Sequence, residues 1–126
     1  MTTSTLEFEK AIAALQAALS VPEDDLVRDG TIQRFEFTVE LAWKTAKRIM
    51  GTQTSAPKQV IREMARNGLI EDVMFWLDAI DHRNLSSHTY NEPLAIKVYA
   101  FSQRFLPEAI SLLARLKEDG DAGPGT

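Results

Sequence analysis

Between Arg34 and Met50 the apolar residues Phe35, Val39, Ala42, Ala46 and Ile49 recur at alternating intervals of four and three. That is the period of a helix burying one seam in a bundle. Phe37, Leu41 and Trp43 lie off the seam and widen the apolar sector. Such a helix needs cover on more than one side, from other helices or from a second chain. No segment alternates with period two over a useful length, and no two-residue hairpin turn joins apolar runs. The chain therefore reads as all-α.

Four further helices follow from the same periodicity. Residues 4–20 carry Phe8, Ile12, Leu15 and Leu19 on one stripe, with Ala11, Ala14 and Ala18 beside it. Val21-Pro22 breaks that pattern, and Glu23-Asp24-Asp25 can cap the long helix. That helix starts near Asp25 or just after Gly30 and stops at Gly51. A short helix opens at Pro57, buries Val60, Ile61, Met64 and Ala65, and ends at Asn67-Gly68. The next begins near Glu71-Asp72 and carries Val73, Leu77 and Ile80, with Trp76 in a second apolar row. Asn91-Glu92-Pro93 starts the last, with Leu94, Val98, Phe101 and Phe105 inward. Pro107 should kink or interrupt it before Ile110, Leu113 and Leu116 resume the face. The sum is a bundle of four long helices and one short helix over residues 1–117. Residues 118–126 have no apolar side chain larger than alanine and form an expected disordered tail.

At 126 residues the chain makes one domain. It has no cysteine, which excludes disulfides, thiolate metal sites and cysteine nucleophiles. The N-terminus lacks the basic and apolar regions of a signal peptide, and no apolar run approaches a membrane span. A cytoplasmic location is expected. The net charge of −4 argues against a general nucleic-acid binder. The charge is uneven, however: between Arg34 and Asn67, seven basic residues face three acidic ones. A positive middle on an acidic chain suits a phosphate-bearing or acidic partner.

The densest chemistry lies in Asp81-His82-Arg83-Asn84-Leu85-Ser86-Ser87-His88-Thr89-Tyr90. The stripe of Val73, Leu77 and Ile80 continues to Asn84 and His88, so a core-facing line turns polar. Such local conflicts gather at functional sites. On a continuous helix Asp81, Asn84 and His88 share one side, with Arg83 next to it. Arg83 and His88 would then stand about 140° apart. They converge only if the helix bends or two copies meet. Ser86 and Ser87 favour a bend, because their hydroxyls compete for backbone groups. Histidine suits acid/base work near neutral pH, and arginine can hold a phosphate and stabilise charge on it. Asparagine or serine can orient either. An Arg/His pair of this kind can cleave RNA without metal, the ribose 2′-hydroxyl serving as internal nucleophile. The two histidines lack close ligand spacing, and Asp78 with Asp81 makes a weak constellation, so no metal site and no cofactor are expected.

Residues 83–90 resemble the R-x4-H-x-Y signature of the HEPN superfamily. The stretch Arg28-Asp29-Gly30-Thr31-Ile32-Gln33-Arg34-Phe35-Glu36-Phe37-Thr38-Val39-Glu40-Leu41-Ala42-Trp43-Lys44 resembles its nucleotidyltransferase substrate-binding protein branch. The likeness covers roughly Phe8 to Leu116. It implies an up-and-down helical bundle that dimerises, and a minimal nucleotidyltransferase partner encoded nearby. In toxin–antitoxin members the helical protein is a ribonuclease, and its partner neutralises it by transferring AMP to the motif tyrosine. Carried over by position, Arg83 and His88 are catalytic, Asn84 supports them and Tyr90 accepts AMP. Asp81 and Ser87 complete the set as supporting groups. Other members are described only as substrate-binding subunits, which leaves a non-catalytic binding role open. A homodimer is also the simplest cover for the wide apolar sector of the long helix. Arg34, Glu36, Glu40 and Lys44, on a regular helix with ready ion-pair partners, are expected to be structural or partner-binding.

Overall fold

The computed structural model describes residues 4–88 and 90–121. Thr89, inside the polar stretch, and residues 122–126 of the expected tail lie outside the described residues. Five helices form an up-and-down bundle: α1 (Leu6–Leu19), α2 (Asp25–Met50), α3 (Pro57–Arg66), α4 (Val73–Leu85) and α5 (Glu92–Asp121). A single 3-10 turn, Ser86–His88, joins α4 to the approach of α5. No strand occurs among the described residues. Among the described residues no helix is long and apolar enough to cross a membrane.

The ends of the helices follow local chemistry. The Asp24 carboxylate accepts from the Val27 amide at 2.7 Å and starts α2. Asp72 does the same for α4 through the Phe75 amide. Asn91 caps α5 by accepting from the Leu94 amide at 3.3 Å. Gly51 and Gly68 adopt positive φ, 70° and 74°, where a side chain would be strained, and so end α2 and α3.

The long helix α2 packs against every other element. Its inner face holds Ile32, Phe35, Val39, Ala42, Trp43 and Ala46. Three threonines spaced by seven, Thr31, Thr38 and Thr45, are also buried. Thr31 and Thr38 donate to the carbonyls of Val27 and Arg34, each at 2.7 Å, so their hydroxyls do not go unpaired. Thr38 also lies 3.3 Å from the Ala11 carbonyl, a polar stitch between α1 and α2.

An aromatic knot ties α2, α4 and α5 together. Phe35 meets Phe105 and Phe101 edge-on, with ring centroids 5.3 and 5.9 Å apart. Trp76 meets Phe105 edge-on at 5.1 Å. Phe75 stacks on Phe101 at 4.9 Å. These geometries match the preferred ring quadrupole arrangements.

Several expectations are corrected. Pro107 does not interrupt α5, which runs on through it. The bond lost at the Gln103 carbonyl lies on an exposed part of the helix, open to water, while Phe105, Ala109 and Leu112 anchor both sides of the proline in the core. Ile110 is 43% exposed, and Ala109 takes its place inward. On α4 the buried line is Trp76, Ala79, Ile80 and His82, and it continues to Ser86 in the 3-10 turn. Val73 and Leu77 form its half-buried edge, so Asn84 and His88 face solvent. The last turn of α5 takes in residues 118–121.

Truncating Phe101→Ala removes the ring shared by three aromatic neighbours. It should lower stability by about 3–5 kcal/mol in equilibrium urea unfolding. The Glu40–Lys44 pair, 3.4 Å apart with Lys44 half exposed, should matter far less. Lys44→Ala should change stability by less than ~0.5 kcal/mol in the same experiment. Comparable losses at the two positions would mean that the aromatic knot is not the centre of the core.

Candidate functional site

The site is set by the rotation of α4. His82 is buried and stacks on Phe101, with centroids 4.0 Å apart and planes 12° from parallel. Its Nδ1 lies 2.9 Å from the Asp78 carbonyl oxygen, which accepts from it when Nδ1 carries the proton. With His82 turned inward, the next residue points about 100° further round. Arg83 therefore faces α2.

There its guanidinium meets two carboxylates. Arg83 Nε lies 3.3 Å from Glu40 Oε1, and Nη1 lies 3.7 Å from Glu36 Oε2. Both contacts are ion pairs of loose alignment. Nε is buried without a hydrogen-bond partner among the described residues. Glu40 is shared with Lys44. These groups, with Gln33, Phe37 and Leu41, line a cleft of about 560 Å³. Phe37 is 58% exposed at its edge.

Beyond Leu85 the helix tightens as its serines suggest. The Ser86 hydroxyl donates to the Arg83 carbonyl, and the Ser87 hydroxyl donates to the Asn84 carbonyl at 3.1 Å. Hydroxyls that bind carbonyls three residues back favour the 3-10 turn over continued α-helix. His88, the last residue of the turn, is exposed, and Tyr90 just past it is 90% exposed. Their rings stand edge to face with centroids 6.4 Å apart. The Asn91 amide donates to the His88 carbonyl, which closes the corner before α5. Arg28, at the start of α2, has its pKa raised first by its bond to Glu23 and further by the charges of Asp25 and Glu92.

The polar residues of the stretch are thus divided. Asp81 is committed to Lys58 of α3, 2.7 Å away. Asn84 and Ser87 are exposed and linked to each other through the backbone. His88 and Tyr90 are neighbours. Among the described residues no contact joins Arg83 to His88 within one chain. Glu36 and Glu40 were read as structural or partner-binding groups, yet they are the side chains that touch Arg83. Their i, i+4 spacing in Arg34-Phe35-Glu36-Phe37-Thr38-Val39-Glu40 places both on one side of α2, which is the signal that could have paired them with a cation. His82 is the other residue the sequence did not place: its ring serves the core.

Known proteins share both the sequence and the fold. The family described as nucleotidyltransferase substrate binding protein like matches residues 4–118. A Haemophilus influenzae protein named probable ribonuclease HepT is 37% identical over 107 residues, spanning 79% of this chain and 73% of that protein. A Thermus thermophilus crystal structure superposes with a TM-score of 0.81 at 34% identity, covering 86% of this chain and 98% of that one. A second solved structure, from Haemophilus influenzae and described as the fold of a substrate binding domain of a nucleotidyltransferase, superposes with a TM-score of 0.80 at 30% identity. It covers 90% of this chain and 99% of its own. The chain belongs to the nucleotidyltransferase substrate binding protein like family.

Proposed function

We propose that this chain is a metal-independent ribonuclease of the HEPN type. In this reading it works in the cytoplasm as a homodimer and is neutralised by a minimal nucleotidyltransferase. The observation that carries the reading is the corner after α4, which leaves His88 and Tyr90 exposed side by side, one 3-10 turn beyond Arg83. RNA cleavage needs a base to take the 2′-hydroxyl proton and an acid to protonate the departing 5′-oxygen. The 2′-oxygen forms a bond to phosphorus as the bond from phosphorus to the 5′-oxygen breaks. One His88 serves one of these roles, and a second copy brings a second His88. Arg83 offsets the charge that builds on the phosphorus oxygens. For this it must leave Glu36 and Glu40, and its poorly aligned contacts with them make the exchange easier than leaving a well-formed bidentate pair. Asn84 and Ser87, exposed before His88, would orient substrate.

The second copy has a natural seat. Phe37 and Leu41 line the cleft beside Arg83 and leave apolar surface on the outer side of α2. Covering them with the same surface of a second chain would set two Arg83/His88 pairs along one groove. Control would act at Tyr90. Its phenol oxygen, losing its proton to solvent, attacks the α-phosphorus of ATP as the bond from that phosphorus to the bridging oxygen breaks and pyrophosphate leaves, and the attached phosphate puts negative charge near His88. The alternative is a non-catalytic subunit that presents substrate to a nucleotidyltransferase. The neutralisation of Arg83 by two carboxylates favours that alternative.

His88→Ala and Arg83→Ala should each abolish cleavage of cellular RNA by the purified dimer and leave its unfolding transition in place. With the partner and ATP present, Tyr90 should gain mass in units of AMP, and Tyr90→Phe should stay active but escape control. A wild-type dimer that cleaves no RNA and takes up no AMP would leave the substrate-presenting role as the better account. Sedimentation should find a dimer at micromolar concentration, and Phe37→Asp should give a monomer that no longer cuts. A monomeric wild type would remove the shared groove from the mechanism.

A further inference from the structure

The basic middle of the chain becomes a directed feature on α3. Lys58, Arg62 and Arg66 recur every four residues along that helix and are all exposed. Lys58 is bonded to Asp81 of α4, on the exposed side of that helix that also carries Asn84, so the row starts at the exposed side of the candidate site. It ends about 12 Å further along the helix axis, at a cavity of about 720 Å³ lined by Arg62, Arg66, Gln59 and the Thr52–Thr54 loop. Arg62 has no carboxylate partner among the described residues, while Arg66 is paired with Glu63 at 2.6 Å. Lys47 reaches under the loop and donates to the Thr52 carbonyl at 2.9 Å.

Two helix C-termini, those of α2 and α3, open near this cavity and contribute about −0.5 charge each. Arg62 and Arg66 against Glu63 leave one positive charge in the lining, and Lys47, bonded to the Thr52 carbonyl of the loop, adds a second beside it, so the surroundings stay positive after the helix ends are counted. A free anion is therefore attracted there. The four-residue step of the row rises about 6 Å, comparable to the separation of successive phosphates along a single nucleic-acid strand.

We propose that Arg62 and Arg66 form a phosphodiester track that holds single-stranded RNA leading away from the Arg83/His88 site. The inference rests on the ribonuclease reading above and adds to it the surface that grips the strand outside the cut. Arg62 takes a phosphate bidentately, and Arg66 exchanges Glu63 for the next. Gln59 and the threonine loop offer neutral hydrogen bonds to sugar hydroxyls.

The test uses full-length His88→Ala protein, which cannot consume the probe, and a short fluorescein-labelled oligouridine followed by anisotropy. Adding Arg62→Ala and Arg66→Ala should weaken binding roughly tenfold and flatten the salt dependence by about 1.4 in log–log slope, two contacts at ~0.7 each. Glu63→Gln removes the carboxylate that competes for Arg66 and should tighten binding, an effect that a purely structural Glu63 would not give. Unchanged affinity and slope in the double variant, with His88→Ala itself binding RNA, would overturn the track and leave the ribonuclease reading standing. No RNA binding by His88→Ala would overturn both. A double variant that keeps RNA but loses ATP, or loses the nucleotidyltransferase, would assign the cavity to a mononucleotide or to the partner protein and overturn the track.

Discussion

The stack of His82 on Phe101 sets the azimuth of α4, and the arrangement of the site depends on it. Phe101 belongs to the aromatic knot that joins α2, α4 and α5, so its position is fixed by several rings at once. A helix has one rotational freedom about its axis. Burying His82 against that ring uses it up. Arg83 must then face α2, and Asp81 and Asn84 must face outward. A polar ring in the core is tolerable because its Nδ1 has the Asp78 carbonyl within hydrogen-bond distance.

The candidate site is accordingly split between a restrained half and an exposed half. Arg83 sits in a cleft with Glu36 and Glu40, where opposed charges keep it in place without good hydrogen bonds. His88 and Tyr90 stand free on the corner made by Ser86 and Ser87. The serines end the helix early by offering its carbonyls competing donors. This gives the chain an exposed corner one 3-10 turn beyond a cation whose carboxylate contacts are loosely aligned.

Charge is distributed with the same logic. The acidic excess of the whole chain discourages indiscriminate binding of nucleic acid. Six of its fourteen basic residues, Lys44, Lys47, Arg48, Lys58, Arg62 and Arg66, lie on α3 and the last two turns of α2. Lys58 and Asp81 fasten this basic helix to the helix that carries the motif.

The sequence by itself determined the helical class, the order of the five helices and nearly all of their ends. These rest on local physics: the apolar period of α2, the cap residues Asp24, Asp72 and Asn91, and the glycines at 51 and 68, each acting within a turn of itself. The serine corner was legible for the same reason, and residues 83–90 with the stretch before Lys44 pointed to the family. Only the tertiary structure decided which way α4 faces. Val73, Leu77 and Ile80 allowed a stripe ending in Asn84 and His88, but Phe101, nineteen residues further on than His82, claimed the neighbouring face. It likewise decided that Glu36 and Glu40 meet Arg83, that Asp81 meets Lys58 and that α5 passes through Pro107 unbroken. Periodicity names the residues on a helix that can be buried. Which of them are buried depends on the shape of the partners they meet, and those partners lie elsewhere in the chain.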